Sequence, residues 1–323
     1  MRDSDGVQFL QWCLPRLRLR WPGFRKVRRR VYKCIDRRLR QLGLADVSEY
    51  RRYLERDAGE WRALDACCRI PISRFFRDRA VFASLEEEVL PRLAEIASAR
   101  HEQRLQCWSI GCASGEEPYT LSILWRIRIA PRFPGLGLRV LATDVDTHAL
   151  ERARRGCYGR GSLKDLPADL LARAFTPSPQ GLCLKPEYRE GVEIFQQDVR
   201  LTMPPGPFHL VFCRNLAFTY FEAALQREIL GRITERLCPG GALVIGSLES
   251  LPAEVAGLEP WSGRRAVYRR SAPDPGGGGA RSPASTPERT ANAPPRELRN
   301  PGPHPLEGAL VRRGRRMLLN WIR

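Results

Sequence analysis

The chain has 323 residues, a hydrophobic share of 43% and a formal net charge of +18, with a sequence pI near 10.1. That length accommodates one catalytic domain and a smaller one, and no apolar run approaches the roughly 18 to 20 residues needed to cross a bilayer, so no membrane span is expected. The first ten residues lack a basic stretch followed by an apolar core, which argues against a secretory signal. The charge is uneven: residues 1–69 carry +9, residues 271–323 carry +5, and the long middle of the chain only +4. Such basic ends predict salt-dependent attraction to an acidic partner surface. Nucleic acid is not expected as a partner, because the near-neutral core shows no interleaving of aromatic and basic residues.

In chain order, residues 1–69 read as a small basic helical domain. Val27, Val31, Ile35, Leu39 and Leu42 recur at helical spacing with Arg28, Arg29, Arg30, Arg37 and Arg38 on other faces, and Gly43 stops the helix. Asp46 or Ser48 is placed to cap a following helix through Tyr50 and Leu54, and a further pattern runs through Trp61, Leu64 and Cys68. Residues 70–102 read as a linker and connecting helix. From Gln103 to Arg270 short apolar runs alternate with helical stretches, with strands expected at 105–110, 138–143, 192–196, 208–213 and 242–247 and helices near 116–129, 147–155 and 222–237. This alternation predicts an α/β fold with a parallel, doubly wound sheet. Residues 160–191 interrupt it as a small inserted subdomain, and Pro239-Gly240-Gly241 reads as the turn between the last helix and its strand. Residues 271–323 are rich in Pro, Gly, Ser and Arg and read as a disordered tail, ending either in a short basic amphipathic helix or in a frayed terminus.

The ten cysteines are scattered and form no CxxC pair, and the four histidines show no metal-binding spacing. Free thiols in a reducing cytoplasm, and no metal, are therefore expected.

The chemistry gathers at the expected strand ends. Gly111-Cys112-Ala113-Ser114-Gly115-Glu116-Glu117-Pro118-Tyr119 follows the first strand. It lacks the third glycine of a dinucleotide fingerprint and the Gly-Lys-Ser/Thr of a P-loop, and its acidic residues would repel a pyrophosphate. A glycine loop beside carboxylates suits a cationic ligand with hydroxyls and no phosphate, which is the character of S-adenosylmethionine. Asp144 ends the second strand, where it can accept from ribose hydroxyls. Gln197, Asp198 and Val199 follow the third, where a side-chain acceptor and an apolar neighbour can hold adenine. Arg214 and Asn215 follow the fourth and face the same crevice.

Over about residues 20–270 the chain resembles the CheR family of S-adenosylmethionine-dependent protein-glutamate O-methyltransferases. The resemblance rests on Ser73-Arg74-Phe75-Phe76-Arg77-Asp78, Gly111 to Tyr119, Ala142 to Asp146, Phe212 to Asn215 with Tyr220-Phe221, and Pro239-Gly240-Gly241. It implies an N-terminal helical domain joined to a class I, Rossmann-like methyltransferase domain bearing a small subdomain. It also implies roles: Ser73, where the family has threonine, and Arg77 contact the cofactor, Glu117 holds the methionine amino end and Asp144 the ribose. Asp198 and Val199 stand on the adenine side, and Gly111, Arg214 and Asn215 line the pocket. Arg77 and Tyr220 position the acceptor carboxylate as the catalytic pair. The implied partner is an acidic, chemoreceptor-like helix met by the basic helix within 25–42, with the enzyme acting as a cytoplasmic monomer.

Two departures fall near the acceptor. Pro71 replaces a family asparagine, and Leu216, Ala217, Phe218 and Thr219 place one extra residue between Asn215 and Tyr220. Two alternatives therefore stay open: the same fold methylating a small molecule, RNA or another protein, or a non-catalytic S-adenosylmethionine-binding docking module.

Overall fold

The computed structural model describes residues 2–253, 257–261 and 263–271, so the tail reading for 272–323 lies outside the described residues. The N-terminal part is helical: α1 (Asp3–Cys13), α2 (Trp21–Phe24), α3 (Arg28–Leu42), α4 (Val47–Arg56) and α5 (Glu60–Cys67). The predicted apolar stripe of α3 is its buried face, with Val31, Ile35 and Leu39 inside, and Gly43 ends the helix in the left-handed conformation. Asp46 rather than Ser48 caps α4, its carboxylate accepting from the Ser48 and Glu49 amides at 2.8 and 2.9 Å, a contact worth about 1 kcal/mol.

Helices α3 and α5 are tied together twice. Arg38 donates to both oxygens of buried Glu60 at 2.8 and 2.6 Å, and Cys34 is disulfide-bonded to Cys67. A second disulfide joins Cys157 to Cys183. These two bridges correct the free-thiol expectation for four of the ten cysteines. The residues are far apart in sequence, and it is helix packing and strand pairing that bring them within bonding reach. Cys13, Cys68, Cys107, Cys112, Cys213 and Cys238 are free and buried.

The chain then passes through α6 (Arg79–Ser84), a π-helical turn and α7 (Leu90–Ala99) to the main sheet. Strands β1 (Arg104–Ile110), β2 (Gly137–Asp144), β6 (Val192–Gln196) and β7 (Phe208–Phe212) are parallel, as is β8 (Leu237–Val244) to β7. Helices α8 (Glu116–Leu124), α9 (Thr147–Arg155) and α13 (Ala223–Arg236) make the crossovers. The order is β6-β2-β1-β7-β8, continued by the antiparallel strands β10 (Arg264–Arg270) and β9 (Leu258–Trp261). Every residue of β7 is buried, as a central parallel strand covered on both faces requires. Topology reverses between β1 and β7, and their carboxyl ends open a crevice of the kind in which open α/β sheets bind ligands.

Two expectations shift. The strand expected at 242–247 begins at Leu237 and ends at Val244, and Pro239-Gly240-Gly241 lies inside it as a bulge. There the register jumps from Phe208↔Leu237 to Leu210↔Ala242. The chain pairs with β7 as soon as α13 ends, so no separate turn is needed. The edge hairpin β9–β10 was not foreseen, because Pro260 and the arginines of β10 mask its alternation; proline is tolerated there because β9 is an edge strand. The insert is a three-stranded antiparallel sheet of β3 (Cys157–Tyr158), β5 (Gly181–Leu184) and β4 (Phe175–Ser178), with α10 (Arg160–Leu163) and α11 (Ala168–Ala174).

Candidate active site

A cleft opens at the carboxyl ends of β1, β2, β6 and β7 and is closed on one side by residues 65–77. All ten residues singled out from sequence line it or its rim. Their local geometry explains how they are held.

Gly111 leaves β1 with φ +71°, a left-handed conformation that favours glycine, and a Cβ there would stand 2.8 Å from Leu216 Cδ2, whose side-chain end would have to shift. Ala113 adopts φ +49°, uncommon for a residue with a Cβ, and its amide donates to Asp144 Oδ2 at 2.8 Å. Asp144 Oδ1 accepts from the Asp146 amide at 2.8 Å. The glycine loop and the tip of β2 are thereby fixed to each other through one carboxylate. Burial pushes Asp144 above the usual carboxylate range, against the pull of these amides.

Glu117, on the first turn of α8, points into the cleft wall. Its Oε1 accepts from Ser109 Oγ at 2.7 Å and its Oε2 from Arg214 Nη1 at 3.0 Å. Burial raises its pKa too, and Arg214 offsets part of that. The other guanidinium nitrogen of Arg214 donates to Asp78 Oδ2 at 2.9 Å and to the Arg77 carbonyl at 2.6 Å. Arg214 therefore clamps the linker to the glycine-loop helix. Asn215 has φ +54°, and Glu249 holds its amide at 2.8 Å. Such left-handed non-glycine residues cluster here, with Phe76 and Asp78 on the linker, and strain of this kind persists where surrounding contacts over-determine the backbone.

Ser73 lines the cleft near Glu116, which is buried and accepts from Ser162 Oγ at 3.4 Å, and Val199 is buried. Pro71 lies in the cleft wall beside Ser73. Arg77 Nη1 donates to the Ile72 carbonyl at 2.6 Å. Residues 217–220 form the short helix α12 (Ala217–Tyr220), and its last residue, Tyr220, sits at the cleft rim. The Tyr220 ring packs 5.0 Å from that of Phe24, and its carbonyl accepts from the Arg20 amide at 2.8 Å, so N-terminal residues brace the rim.

Asp198 is held in a way sequence reasoning missed. Arg200 donates to it through Nε and Nη2 and, through Nη1 and Nη2, to Asp65 of α5 at 2.7 and 3.0 Å. Glu249 and Ser109 were missed as well. Only the close spacing of Asp198 and Arg200 gave any local signal.

The residues fit S-adenosylmethionine. Carboxylates stand at the glycine loop, the β2 tip and the β6 tip, where an ammonium, ribose hydroxyls and an adenine amino group need acceptors. Gln197 Oε1 is buried with no hydrogen-bond partner among the described residues, an unmet acceptor on the adenine side. Sheet topology, glycine loop and this acceptor set together define an S-adenosylmethionine-dependent methyltransferase.

Comparison with known proteins agrees. Residues 72–267 match the model of the CheR methyltransferase SAM-binding domain. The chain is 35% identical over 228 residues to the chemotaxis protein methyltransferase of Salmonella typhimurium, spanning 68% of this chain and 75% of that protein. It is 34% identical over 228 residues to the Escherichia coli chemotaxis protein methyltransferase, spanning 68% and 76%. An uncharacterized 104.1 kDa protein of Rhodobacter capsulatus is 32% identical over 246 residues, which is 75% of this chain and 25% of that larger protein. The chain belongs to the CheR methyltransferase family.

Proposed function

We propose that the chain transfers methyl from S-adenosylmethionine to a glutamate carboxylate on an acidic, chemoreceptor-like protein helix, and that Arg77 and Tyr220 position that carboxylate. The observation that carries this reading is the charge at the rim. Burial raises the Tyr220 hydroxyl pKa, the nearby charge of Arg77 acts against it, Glu249 adds to it, and Arg30, from α3, again lowers it, so two cations and one carboxylate stand near this hydroxyl. An anionic acceptor entering there meets cations contributed by both the linker and the basic helix. The chemotaxis methyltransferases of Salmonella typhimurium and Escherichia coli give the acceptor class by likeness.

When bound, the cofactor supplies a sulfonium methyl, which passes to a carboxylate oxygen in one in-line displacement while the sulfur keeps the electron pair of the broken bond. A carboxylate is already ionised at pH 7, so no proton moves and no general base is needed. The task of the protein is alignment. Glu117 and Asp144 take the ammonium and ribose, Asp198 and Val199 the adenine, and Arg214 holds Glu117 and the linker at fixed distance. Arg77, anchored by Ile72, and the Tyr220 hydroxyl orient the incoming carboxylate. Among the described residues no helix is long and apolar enough to cross a membrane, and a cytoplasmic site of action is part of this reading.

The test uses tritiated-methyl S-adenosylmethionine with an acidic helical receptor fragment. Incorporated label is expected to leave as methanol in mild alkali, as a carboxyl ester does, and to fall at least tenfold in Arg77→Ala. Label that resists alkali would assign a nitrogen or alcohol acceptor and overturn the proposal.

A further inference from the structure

The N-terminal helices and the adenine end of the cleft are joined by one side chain with an unusual set of partners. Arg200, two residues past the adenine-side aspartate, presents two edges of its planar guanidinium to two carboxylates. The Nε/Nη2 edge meets Asp198 at 3.0 to 3.1 Å and 2.7 Å, and the Nη1/Nη2 edge meets Asp65 at 2.7 and 3.0 Å. The exposure of the three side chains is only 10%, 15% and 5% for Arg200, Asp198 and Asp65. Asp65 also receives Arg69 Nη2 at 3.2 Å, and Arg69 Nη1 reaches the carbonyl of Val145, next to the ribose-side Asp144. A residue of α5 thus braces the tips of both β2 and β6 from outside the sheet.

We propose that Asp65 is a positioning residue for the adenine end of the cofactor site: through Arg200 it keeps Asp198 an oriented acceptor and so sets selectivity for a purine bearing an exocyclic amino group. The inference rests on the reading of Asp198 as the adenine-side acceptor.

Two carboxylates and two guanidinium groups share this corner, since Arg69 also reaches Asp65, and Arg200 divides its two edges between Asp65 and Asp198. Removing the charge of Asp65 leaves Asp198 as the one carboxylate facing Arg200, with Arg69 no longer balanced. Arg200 then draws Asp198 into a neutral pair and is free to turn, because the edge that fixed its plane has lost its partner. An acceptor so engaged loses its preference for an amino group over a carbonyl oxygen. A site built to accept from an N–H otherwise rejects the analogue that lacks it strongly.

The experiment is calorimetric titration of S-adenosylhomocysteine and S-inosylhomocysteine, which carries a carbonyl oxygen in place of the amino group. Wild type should prefer the adenosyl ligand by tenfold or more, and Asp65→Asn by less than threefold. Arg200→Lys keeps the charge but not the two-edged fork, and it should show the same collapse; it decides the matter if Asp65→Asn does not fold. A purely structural role would weaken both ligands equally and leave the ratio intact. Folded variants that retain the tenfold preference overturn the positioning role while leaving Asp198 in place. Equal affinity of wild type for the two ligands contradicts the adenine reading of Asp198 itself, and the positioning role falls with it.

Discussion

Asp144 and Glu117 are carboxylates that burial pushes toward the neutral form and that a cationic, hydroxyl-bearing ligand pulls toward the charged one. Their folded-state pKa values lie above the ordinary range, so protonation is taken up by the folded protein before the unfolded chain would take it up. Cofactor binding favours the ionised forms, and affinity should therefore fall as pH drops through those raised values, with protons released on binding there. Asp65 behaves oppositely. Burial alone would raise it, but the Arg200 hydrogen bonds and charge hold it below the ordinary value. Its stabilising contribution is complete above the ordinary value and is lost as pH falls through the depressed one. Asp144→Ala should weaken S-adenosylhomocysteine tenfold or more, about 1.4 kcal/mol, and flatten the acid limb of the affinity profile. An unchanged profile in that variant would place the titration elsewhere.

At the scale of elements, the two disulfides join segments of different kinds. Cys34–Cys67 fastens the basic helix α3 to α5, which carries Asp65, and Cys157–Cys183 bridges directly paired residues of β3 and β5. Closing a loop of 33 residues removes unfolded-state freedom worth roughly 3 to 4 kcal/mol in the chain-entropy picture. Thermal melts of oxidised protein should drop by several degrees on adding reductant. Cys34→Ser should show about half of that drop and still respond to reductant, because the other bridge closes a loop of 26 residues and contributes about as much. Recovery of all four cysteines as free thiols from oxidised protein would contradict the pairing. Neither bridge was legible in the sequence, because partners 33 and 26 residues apart leave no local pattern. The same holds for Asp65 and Arg200, 135 residues apart. What could be read were features tied to fixed spacing. The apolar stripe of α3, the helix over Thr147–Arg155 and the strand over Val192–Gln196 follow from periodicity, and Gly111 to Glu117 from what a strand-to-helix turn beside a ligand demands. The bulge at Pro239-Gly240-Gly241 was read as a turn because proline and glycine signal both, and only pairing with β7 distinguishes them.

For the whole molecule, function follows from two electrostatic surfaces meeting at one cleft. The carboxyl edge of the sheet is acidic and receives a cationic cofactor. The N-terminal segment carries a net +9 and meets the rim where Phe24 and Arg20 brace Tyr220. Not all of its arginines are available: Arg28 pairs with Asp3 at 2.8 Å and Arg38 with Glu60 at 2.6 Å. Arg29, Lys33 and Arg37 are exposed and four residues apart, so they form one stripe along α3. In the proposed function that stripe is the surface offered to an acidic helix, and its affinity should fall as salt rises. The most direct measurement is steady-state methylation of an acidic receptor fragment by the triple variant Arg29→Glu, Lys33→Glu, Arg37→Glu, paired with calorimetry of S-adenosylhomocysteine. The account predicts a KM for the fragment raised tenfold or more and a cofactor Kd within twofold of wild type. An unchanged KM, or a Kd weakened in step with it, would contradict the division of the cleft into a cofactor edge and a basic acceptor surface.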